Sequence, residues 1–390
     1  MERDLPQLGL YVHWPFCVAK CPYCDFNSHV RAAIDQPDWR AAYLRALETE
    51  AARLDAHDAR RPLSSIFFGG GTPSLMEPTT AGAIIETAER LFGFEPGIEI
   101  TLEANPSSVE AARFAAFKSA GVNRVSLGVQ AFDDVSLKFL GRAHDAAQAR
   151  GAIETALKTF ERASFDLIYA RPDQTLENWQ RELDDALAYG TTHLSLYQLT
   201  IEKGTPFYAA HKRGEFVLPD EETAAALYEH TQARLKDAGL AAYEISNHAK
   251  PGEESRHNLI YWRLDDYVGI GPGAHGRLTF GGETLATLRK HKPEDWLAQL
   301  VKDGLGVMEE SAVAKDERLS EMLMMGLRLA EPIPRARFLR IAGKEPEAAL
   351  DQKRLQRLIE GGFLTIDERG LASTSEGRQR LNAVLAELII

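Results

Sequence analysis

Short β-type runs that alternate with helix-length segments constrain the fold of this chain more than any other feature. The segments between the runs, such as 39–54 and 109–120, are rich in Ala, Leu and Glu, with apolar residues three and four apart. This alternation predicts an α/β fold in which six strand–helix units build a partial (β/α)6 barrel of the TIM type. The six runs are GLYVHW (9–14), SSIFFGG (64–70), IEITLEAN (98–105), NRVSLGVQ (123–130), SFDLIYA (164–170) and THLSLYQL (192–199).

The pattern changes after about residue 290, which predicts one domain over 1–290 and a second over 291–390. The second part shows two amphipathic helices, a short hairpin around Arg369 and Gly370, and a last helix, an order typical of a winged-helix-like α+β domain. Residues 351–390 hold six Lys or Arg and six Asp or Glu. Because DNA-binding winged helices need a basic surface, we expect a packing or docking module here.

Composition excludes several classes of protein. The formal net charge of -12 argues against nucleic acid as a partner, since affinity for phosphates comes from clustered Lys and Arg. The polar start MERDLPQ does not resemble a signal peptide, and no apolar run approaches the roughly 18 residues of a membrane span. Three cysteines make no disulfide framework, so we expect a cytoplasmic protein.

All three cysteines lie within eight positions, in the stretch FCVAKCPYCDFNSH (16–29). Cys17, Cys21 and Cys24 follow the first β-run with C-x3-C-x2-C spacing, which is typical of thiolates that bind a soft metal or an iron–sulfur cluster. A 4Fe–4S cluster held by three thiolates keeps one iron open to the amino and carboxylate groups of S-adenosylmethionine. The alternative is a zinc site with His29 or His13 as the fourth ligand.

Two other strand ends carry candidate ligand-binding residues. Gly69, Gly70, Gly71 and Thr72 end the second run, where missing side chains would let the methionine end of a ligand approach the backbone. No Gly-Lys-Ser/Thr follows, so the stretch is not a phosphate loop. Glu103 ends the third run, where a carboxylate can hold an amino group or a ribose.

Further segments carry a resemblance to a known family. Together with the cysteine loop they resemble the radical S-adenosylmethionine proteins, and within them the group of coproporphyrinogen dehydrogenases and HemW haem chaperones. The match covers most of the chain. The segments are YVHWPFCVAKCPYCDFNSH (11–29), FFGGGTPSL (67–75), LEANP (102–106), GVNRVSLGVQAF (121–132), LGRAH (140–144), DLIY (166–169), LSLYQLTIEKGTPF (194–207), YEISNHA (243–249), HNLIYW (257–262) and GIGPGAHGR (269–277).

The resemblance implies a set of cofactor contacts. Cys17, Cys21 and Cys24 would hold a 4Fe–4S cluster whose open iron binds S-adenosylmethionine. Tyr11 would lie against the methionine carboxylate and Tyr23 near the adenine. The family pattern also places three polar residues near S-adenosylmethionine, namely Gln130, Arg142 and Asp166.

Haem is implied as cargo, because HNLIYW matches the haem-associated motif of the HemW group. His257 is the candidate axial ligand, with Tyr261 and Trp262 as aromatic neighbours. A core histidine bonded to its surroundings is the alternative, and attachment elsewhere stays open. The competing candidates are His13, His29 and His275.

The resemblance leaves two functions to separate. A haem chaperone would deliver haem to cytoplasmic-side haemoproteins, respiratory ones among them. An oxygen-independent coproporphyrinogen oxidase or another radical enzyme is the alternative. Phe26 stands where the oxidase has a fourth cysteine, and only sixteen residues precede Cys17, where the oxidase has a longer segment; both favour the chaperone. A zinc-stabilised winged-helix binding module is a third hypothesis. Contact with a membrane surface and a homodimer stay open.

One segment departs from the family pattern. DLIYARPDQT (166–175) stands where the family has DLIYGLPGQT, so Ala170, Arg171 and Asp173 replace small, apolar and small residues. The loss of two glycines predicts a shifted backbone near the ligand. Arg171 predicts an added cation there.

Overall fold

The computed structural model describes residues 6–31 and 34–389, and each of the six predicted runs forms a strand. The strands are β1 (Leu8–Trp14), β2 (Phe16–Cys17), β3 (His29–Val30), β4 (Leu63–Gly70), β5 (Phe94–Ala104), β6 (Arg124–Gln130), β7 (Arg162–Tyr169), β8 (His193–Gln198), β9 (Ala241–Ala242), β10 (Asn247–Ala249), β11 (Asp266–Ile270), β12 (His275–Phe280), β13 (Glu283–Arg289), β14 (Val307–Ala312), β15 (Ile333–Pro334), β16 (Leu364–Ile366) and β17 (Gly370–Ser373).

Helices connect and cover these strands. They are α1 (Gln36–Ala56), α2 (Pro78–Phe92), α3 (Ser108–Ala111), α4 (Phe114–Ser119), α5 (Asp134–Phe139), α6 (Ala146–Thr159), α7 (Leu176–Ala188), α8 (Pro206–Lys212), α9 (Glu221–Asp237), α10 (Arg256–Trp262), α11 (Pro293–Asp303), α12 (Lys315–Gly326), α13 (Arg335–Ala342), α14 (Pro346–Ala349), α15 (Gln352–Glu360), α16 (Ser375–Gln379) and α17 (Leu381–Leu388), with a 3-10 turn at Pro73–Leu75.

One large sheet dominates the molecule. Its order is β14-β13-β12-β11-β1-β4-β5-β6-β7-β8-β10-β9. The six predicted strands are neighbours and run parallel, which confirms the partial barrel; β11 adds a seventh parallel strand beside β1. The carboxyl ends of these strands therefore meet at one face, where chemistry is found in such folds. The antiparallel strands at the two edges were missing from the prediction.

Burial explains why the predicted strands form. In β1, alternate residues Leu8, Leu10, Val12 and Trp14 are fully buried under the helices, and the intervening residues face the barrel interior. α1 covers the outer face with buried residues that recur at helical spacing, such as Leu47 and Leu54.

Two predicted helices are each broken into two. The segment 109–120 forms α3 and α4, because Arg113 leaves the helix to donate to the Ser74 and Met76 carbonyl oxygens, both at 2.7 Å. The last helix divides into α16 and α17 at Arg380, whose φ of -113° and ψ of 27° are not helical.

The C-terminal part has a hydrophobic core of its own, formed by α12, α13, α15, α17 and a three-stranded sheet in the order β15-β17-β16. β16 and β17 form the predicted antiparallel hairpin. Leu264, which lies two residues before β11, belongs to this core and joins it to the barrel. The division after residue 290 stays a prediction, and β14 of the large sheet lies beyond it. Within the described ranges, no helix combines the length and apolar character needed to cross a membrane.

Candidate functional site

The cysteine loop leaves the barrel at the carboxyl end of β1. Cys17 is buried at the end of β2, which pairs with β3 and so closes the base of the loop. Cys21 and Cys24 lie in the loop itself, where the Cys24 amide donates to the Cys21 carbonyl oxygen at 3.1 Å. The Asn27 amide nitrogen donates to the carbonyl oxygens of Pro272 and His291, both at 2.9 Å. The end of the loop is thereby tied to the turn after β11.

The glycine tract after β4 packs against the chain that leads into Cys17. The Gly71 and Thr72 amides donate to the Trp14 and Phe16 carbonyl oxygens, at 2.7 and 2.8 Å. A Cβ on Gly71 would lie only 2.7 Å from the Phe16 oxygen, and Gly70, with φ of +111°, has no room for one beside His13. The Thr72 hydroxyl donates to Cys17 Sγ at 3.4 Å. The absence of side chains thus lets the glycine tract pack against the Trp14–Phe16 backbone. Whether a ligand also approaches these glycines stays a prediction.

A cavity of about 440 Å³ opens at the carboxyl ends of the strands. It brings together most of the residues predicted from the sequence, whereas the predicted residues Tyr11, Gly69 and His257 lie outside its lining. Those that line it are Cys17, Cys21, Tyr23, Cys24, Gly70, Gly71, Thr72, Glu103, Gln130, Arg142 and Asp166.

Arg142 connects the cysteine loop to the strand ends. Its Nη1 donates to Cys21 Sγ at 3.3 Å and to the Tyr23 hydroxyl at 3.4 Å. Its Nη2 donates to Asn105 Oδ1 at 2.6 Å and to the Gly128 carbonyl oxygen at 2.8 Å. Nε is buried and has no hydrogen-bond partner within the described part of the chain. One guanidinium therefore fixes the positions of the Cys21 thiol and the Tyr23 ring. Its Nε–H remains available to donate a hydrogen bond to a ligand.

Two carboxyl groups lie deep in the cavity. Glu103 Oε2 accepts from the Gly70 amide at 3.2 Å, and Asp166 Oδ1 accepts from the Ser126 hydroxyl at 3.4 Å. Burial, together with the charge of Asp166, raises the pKa of Glu103 to about 8. Burial raises the pKa of Asp166 to about 6. These groups suit a ligand that presents amino or hydroxyl donors, because a bound cation or donor favours the ionised carboxylate.

Gln130 ends β6 with an unusual backbone. Its φ is +74°, and the pairing register between β6 and β7 shifts between Leu127 and Gln130. The side chain is buried, and Oε1 has no partner among the residues described. Strained backbone and an unsatisfied buried oxygen at a cavity wall are typical of a binding site.

His257 lies inside the barrel, away from the cavity. Its ring is fully buried, with Nδ1 2.7 Å from Ser65 Oγ and Nε2 2.7 Å from Tyr261 Oη. The ring stacks on Phe67 at 5.0 Å, and burial lowers its pKa to about 3. Because both nitrogens have partners, neither is free for a haem iron. Haem ligation by His257 therefore stays a prediction, and it would require the ring to give up one of these two hydrogen bonds.

Tyr11 is packed into the same interior stack. Its ring stacks on Phe67 and His257, both at 6.3 Å, and its hydroxyl lies 2.9 Å from His13 Nδ1. The hydroxyl is therefore engaged with His13, and contact with a methionine carboxylate stays a prediction.

The competing histidines are also engaged or remote. His13 Nε2 lies 2.9 Å from the Asn27 carbonyl oxygen, and His29 Nε2 lies 3.2 Å from Asn27 Oδ1. His275 is exposed at the start of β12. In the ranges 6–31 and 34–389, no three His, Cys, Asp or Glu side chains are close enough to hold a single metal ion. Neither His13 nor His29 joins the thiols as a zinc site would require.

The departure from the family pattern leaves the backbone in a glycine-like conformation. Ala170 and Asp173 have φ of +56° and +58°, values that favour glycine. Arg171 is buried and donates to both carboxylate oxygens of Glu182, at 2.5 and 3.2 Å. The prediction of an added cation near the ligand was wrong, because this guanidinium is neutralised outside the cysteine cavity.

A second cavity of about 990 Å³ adjoins the first. The two share six lining residues, namely Tyr23, Cys24, Phe26, Glu103, Gln130 and Asp166. The larger cavity continues along β8 and α9 to the C-terminal part, whose Arg328, Arg378 and Arg380 line it. A ligand in the larger cavity would therefore touch the contents of the smaller one.

Sequence reasoning missed some of the lining residues. Asn105 lines the first cavity and binds both Arg142 and the Thr72 hydroxyl. It follows Glu103 by two positions, so strand alternation could have identified it. Arg328 and Arg378 come from distant segments, and no local pattern in the sequence marks them.

The donor set fits the predicted cofactors. Three thiols border one cavity, and their sulfur atoms accept hydrogen bonds from Thr72 and Arg142. Unpartnered polar atoms of Arg142 and Gln130 belong to the same lining. Three thiols at one cavity wall suit an iron–sulfur cluster, because such clusters are held by cysteine thiolates.

Comparisons with known proteins agree with this geometry. The family model of the radical SAM superfamily matches residues 11–186, and that of the HemN C-terminal domain matches residues 313–380. The chain is 39% identical to the heme chaperone HemW of Haemophilus influenzae, over 98% of this chain and 97% of that protein. It is 37% identical to HemW of Escherichia coli, over 98% of each.

A mitochondrial relative and a solved structure extend the comparison. The bovine radical S-adenosyl methionine domain-containing protein 1 is 38% identical over 98% of this chain and 87% of its own length. The coproporphyrinogen III oxidase HemN of Escherichia coli superposes with a TM-score of 0.78 at 23% identity, covering 98% of this chain and 90% of that chain. This likeness concerns the fold.

Proposed function

Since this chain belongs to the HemW group of the radical S-adenosylmethionine superfamily, we propose that it is a haem chaperone that binds haem, a 4Fe–4S cluster and S-adenosylmethionine. It delivers haem to haemoproteins on the cytoplasmic side, respiratory ones among them. The near-full-length similarity to proteins named heme chaperone carries the proposal. The cavity that joins three thiols to a second, larger cavity supports it.

Cys17, Cys21 and Cys24 are the proposed ligands of the cluster. Thr72 and Arg142 donate hydrogen bonds to two of the three sulfur atoms, which orients these side chains toward the cavity. A reduced cluster of this type supplies one electron to the sulfonium of S-adenosylmethionine. The chain's own part is to hold the thiolates at the cavity wall.

S-adenosylmethionine is proposed to lie beside the thiols. Glu103 and Asp166 would accept from its amino and ribose groups, and both carboxyl groups would lose their protons more readily beside a bound cation. Gln130 would supply its unpartnered Oε1, and Tyr23 would pack on the adenine.

The decisive experiment combines transfer and turnover assays on the anaerobically purified protein. We expect it to bind hemin and to pass haem to an apo-haemoprotein. With S-adenosylmethionine and a reductant, we expect no conversion of coproporphyrinogen III, since Phe26 stands at the fourth cysteine position of the oxidase. Sustained formation of protoporphyrinogen would contradict the chaperone and support the enzyme.

A further inference from the structure

The larger cavity lies between the barrel and the C-terminal part. Its barrel side is formed by the end of β8 and by one face of α9, including Tyr228. Its other side is formed by the junction of α16 and α17, and by Arg328 after α12. At about 990 Å³, it is at the upper end of the roughly 300–1,000 Å³ typical of small-molecule sites. A large ligand would thus be held between both parts of the chain.

Arg378 presents a charge with no opposite partner. The side chain is half-buried, and within residues 6–31 and 34–389 its one hydrogen bond runs from Nη1 to the Ser373 carbonyl oxygen at 2.9 Å. Across the described residues, no carboxylate lies within ion-pair distance of it. Burial lowers the pKa of this guanidinium, and only the nearby Tyr228 acts in the opposite direction. A partly buried cation at a cavity wall is satisfied by an anionic ligand.

Arg328 is the second under-satisfied cation. Its Nη2 reaches Glu244 Oε2 at only 3.4 Å, and its buried Nε has no partner among the residues that the structure describes. The guanidinium lies over the Trp262 ring, with Cζ 4.7 Å from the ring centre. Stacking on an aromatic face orients the guanidinium and leaves its edge free to bind a carboxylate.

The HNLIYW segment acquires a role through this contact. His257 and Tyr261 are hydrogen-bonded to each other in the barrel interior. Trp262, the last residue of α10, packs its ring against the Arg328 guanidinium. The segment is therefore linked to the larger cavity through the contact between Trp262 and Arg328. This link does not require His257 to bind a metal.

The lining also contains apolar and acidic residues. Ile168, Leu199, Ile245 and Leu381 contribute apolar surface for a flat ligand, and Tyr197 and Tyr228 contribute aromatic rings. Three exposed acidic residues, Asp25, Glu202 and Glu221, line the cavity on the barrel side. All three lining arginines come instead from residues 328–380. Arg380 is closely ion-paired with Glu376 at 2.6 Å, whereas Arg328 reaches Glu244 only at 3.4 Å and keeps a buried Nε without a partner among the described residues, so Arg328 and Arg378 are the cations left under-satisfied.

We propose that Arg328 and Arg378 bind the propionate carboxylates of haem in this cavity, and that Trp262 positions Arg328. This inference rests on the proposed function, since it assigns the cargo site of the same chaperone. A porphyrin combines a flat apolar face with two carboxylates on one edge, and the cavity offers apolar walls and two guanidinium groups on one side. Arg–carboxylate pairs supply both charge and geometry.

The test compares hemin with hemin dimethyl ester, which lacks the propionate charges. Anaerobically purified protein with its cluster is titrated with each compound, and the Soret band gives both affinities. We expect the protein to prefer hemin. Arg378→Ala and Arg328→Ala should each weaken hemin binding about tenfold, the scale of one charge-assisted hydrogen bond, and leave ester binding unchanged.

Variants separate direct contact from positioning and from unfolding. Arg378→Lys keeps the charge and should retain part of the preference for hemin. Trp262→Leu should reduce the hemin-to-ester ratio as Arg328→Ala does, which a merely structural role would not do. Arg369→Ala, at an exposed hairpin residue paired with Asp367, is the matched control and should bind both compounds like the unaltered protein. Circular dichroism establishes that each variant is folded.

The outcomes distinguish the inference from the proposed function. If folded Arg378→Ala and Arg328→Ala proteins bind hemin with unchanged affinity, the cargo site lies elsewhere and the inference is wrong, while haem binding stands. If the unaltered protein binds neither compound, the proposed function itself fails.

Discussion

At the scale of single residues, the cysteine thiols depend on side chains outside their own loop. Thr72 and Arg142 reach Cys17 and Cys21 from the ends of other strands. Asn105 in turn binds both of these supporting residues. The thiol geometry is therefore a property of the barrel face, and the loop alone does not define it.

Replacing one thiol should remove the cluster and preserve the fold. Cys21→Ala leaves two proposed ligands, which are too few for stable 4Fe–4S assembly. We expect iron content and absorbance near 400 nm, about where such clusters absorb, to fall to background, while circular dichroism is unchanged. Val18→Ala in the same exposed loop is the control and should retain iron. Normal iron in the Cys21→Ala protein would contradict this ligand set.

Glu103 should make the stability of the protein depend on pH. Its pKa is raised from 4.5 to about 8 in the folded protein. Ionisation therefore opposes folding: the cost is absent below the unfolded pKa, grows as pH rises from 4.5 to 8, and is complete above 8. Without added S-adenosylmethionine, Glu103→Gln should melt higher than the unaltered protein, by a margin that widens from pH 5 to 8.5. Glu86→Gln, on an exposed helix face, should show no such trend, and a constant margin for Glu103→Gln would refute the prediction.

At the scale of elements, two loops are held by unusual backbone conformations. Ala170 follows β7 with a positive φ, and Gly273 lies in the turn between β11 and β12. Ala170 carries a Cβ at a φ that favours glycine. Gly273 has no room for a Cβ, because the Asn27 side chain occupies that space.

Ala170→Gly should stabilise the protein. The left-handed conformation costs a residue with a Cβ about 1–2 kcal/mol, and glycine adds about 0.5–1 kcal/mol of unfolded-state entropy. We expect the free energy of unfolding to rise by about 0.5 kcal/mol in denaturant titrations. Ala163→Gly, within β7 and without positive φ, should instead lower it. Equal losses at both positions would mean that Ala170 is not strained.

Gly273→Ala should loosen the cysteine loop. A Cβ there would collide with the Asn27 amide, which ties the loop to the Pro272 and His291 carbonyl oxygens. We expect reduced iron content after reconstitution, with the barrel still folded. Gly239→Ala has the same φ of +79° but open space around the Cβ position, so it controls for backbone strain. Equal iron in the two variants would show that the Asn27 anchor is dispensable.

At the scale of the whole molecule, two adjoining cavities share part of their lining. The barrel supplies the cysteine cavity, and the C-terminal part closes the larger one beside it. Shared residues such as Glu103 and Gln130 put the proposed cluster and cargo sites in contact without merging them.

The two sites should therefore be separable by substitution. Arg378→Ala should keep its iron and lose hemin affinity, whereas Cys21→Ala should lose its iron and keep the charge that binds hemin. Iron assays and hemin titrations on both variants measure whether the two properties change independently. Loss of both properties in either folded variant would indicate one combined site.

The sequence by itself determined the parallel strands, the clustering of the three cysteines in one loop and most of the lining of the first cavity. Alternating β-runs and helices encode the barrel locally, and topology then brings every strand end to one face. Glu103 was identifiable because it lies near the end of such a run, whereas Gln130 and Asp166 were identified through the family resemblance.

Only the tertiary structure decided what the side chains contact. His257 contacts Ser65 and Tyr261 inside the barrel, and Arg171 pairs with Glu182, and the sequence predicted neither set of contacts. Arg328 and Arg378 reach a cavity that also contains Tyr23, some 300 residues earlier. Local spacing predicts backbone form, but partners of buried polar groups are chosen by long-range packing, which no local pattern encodes.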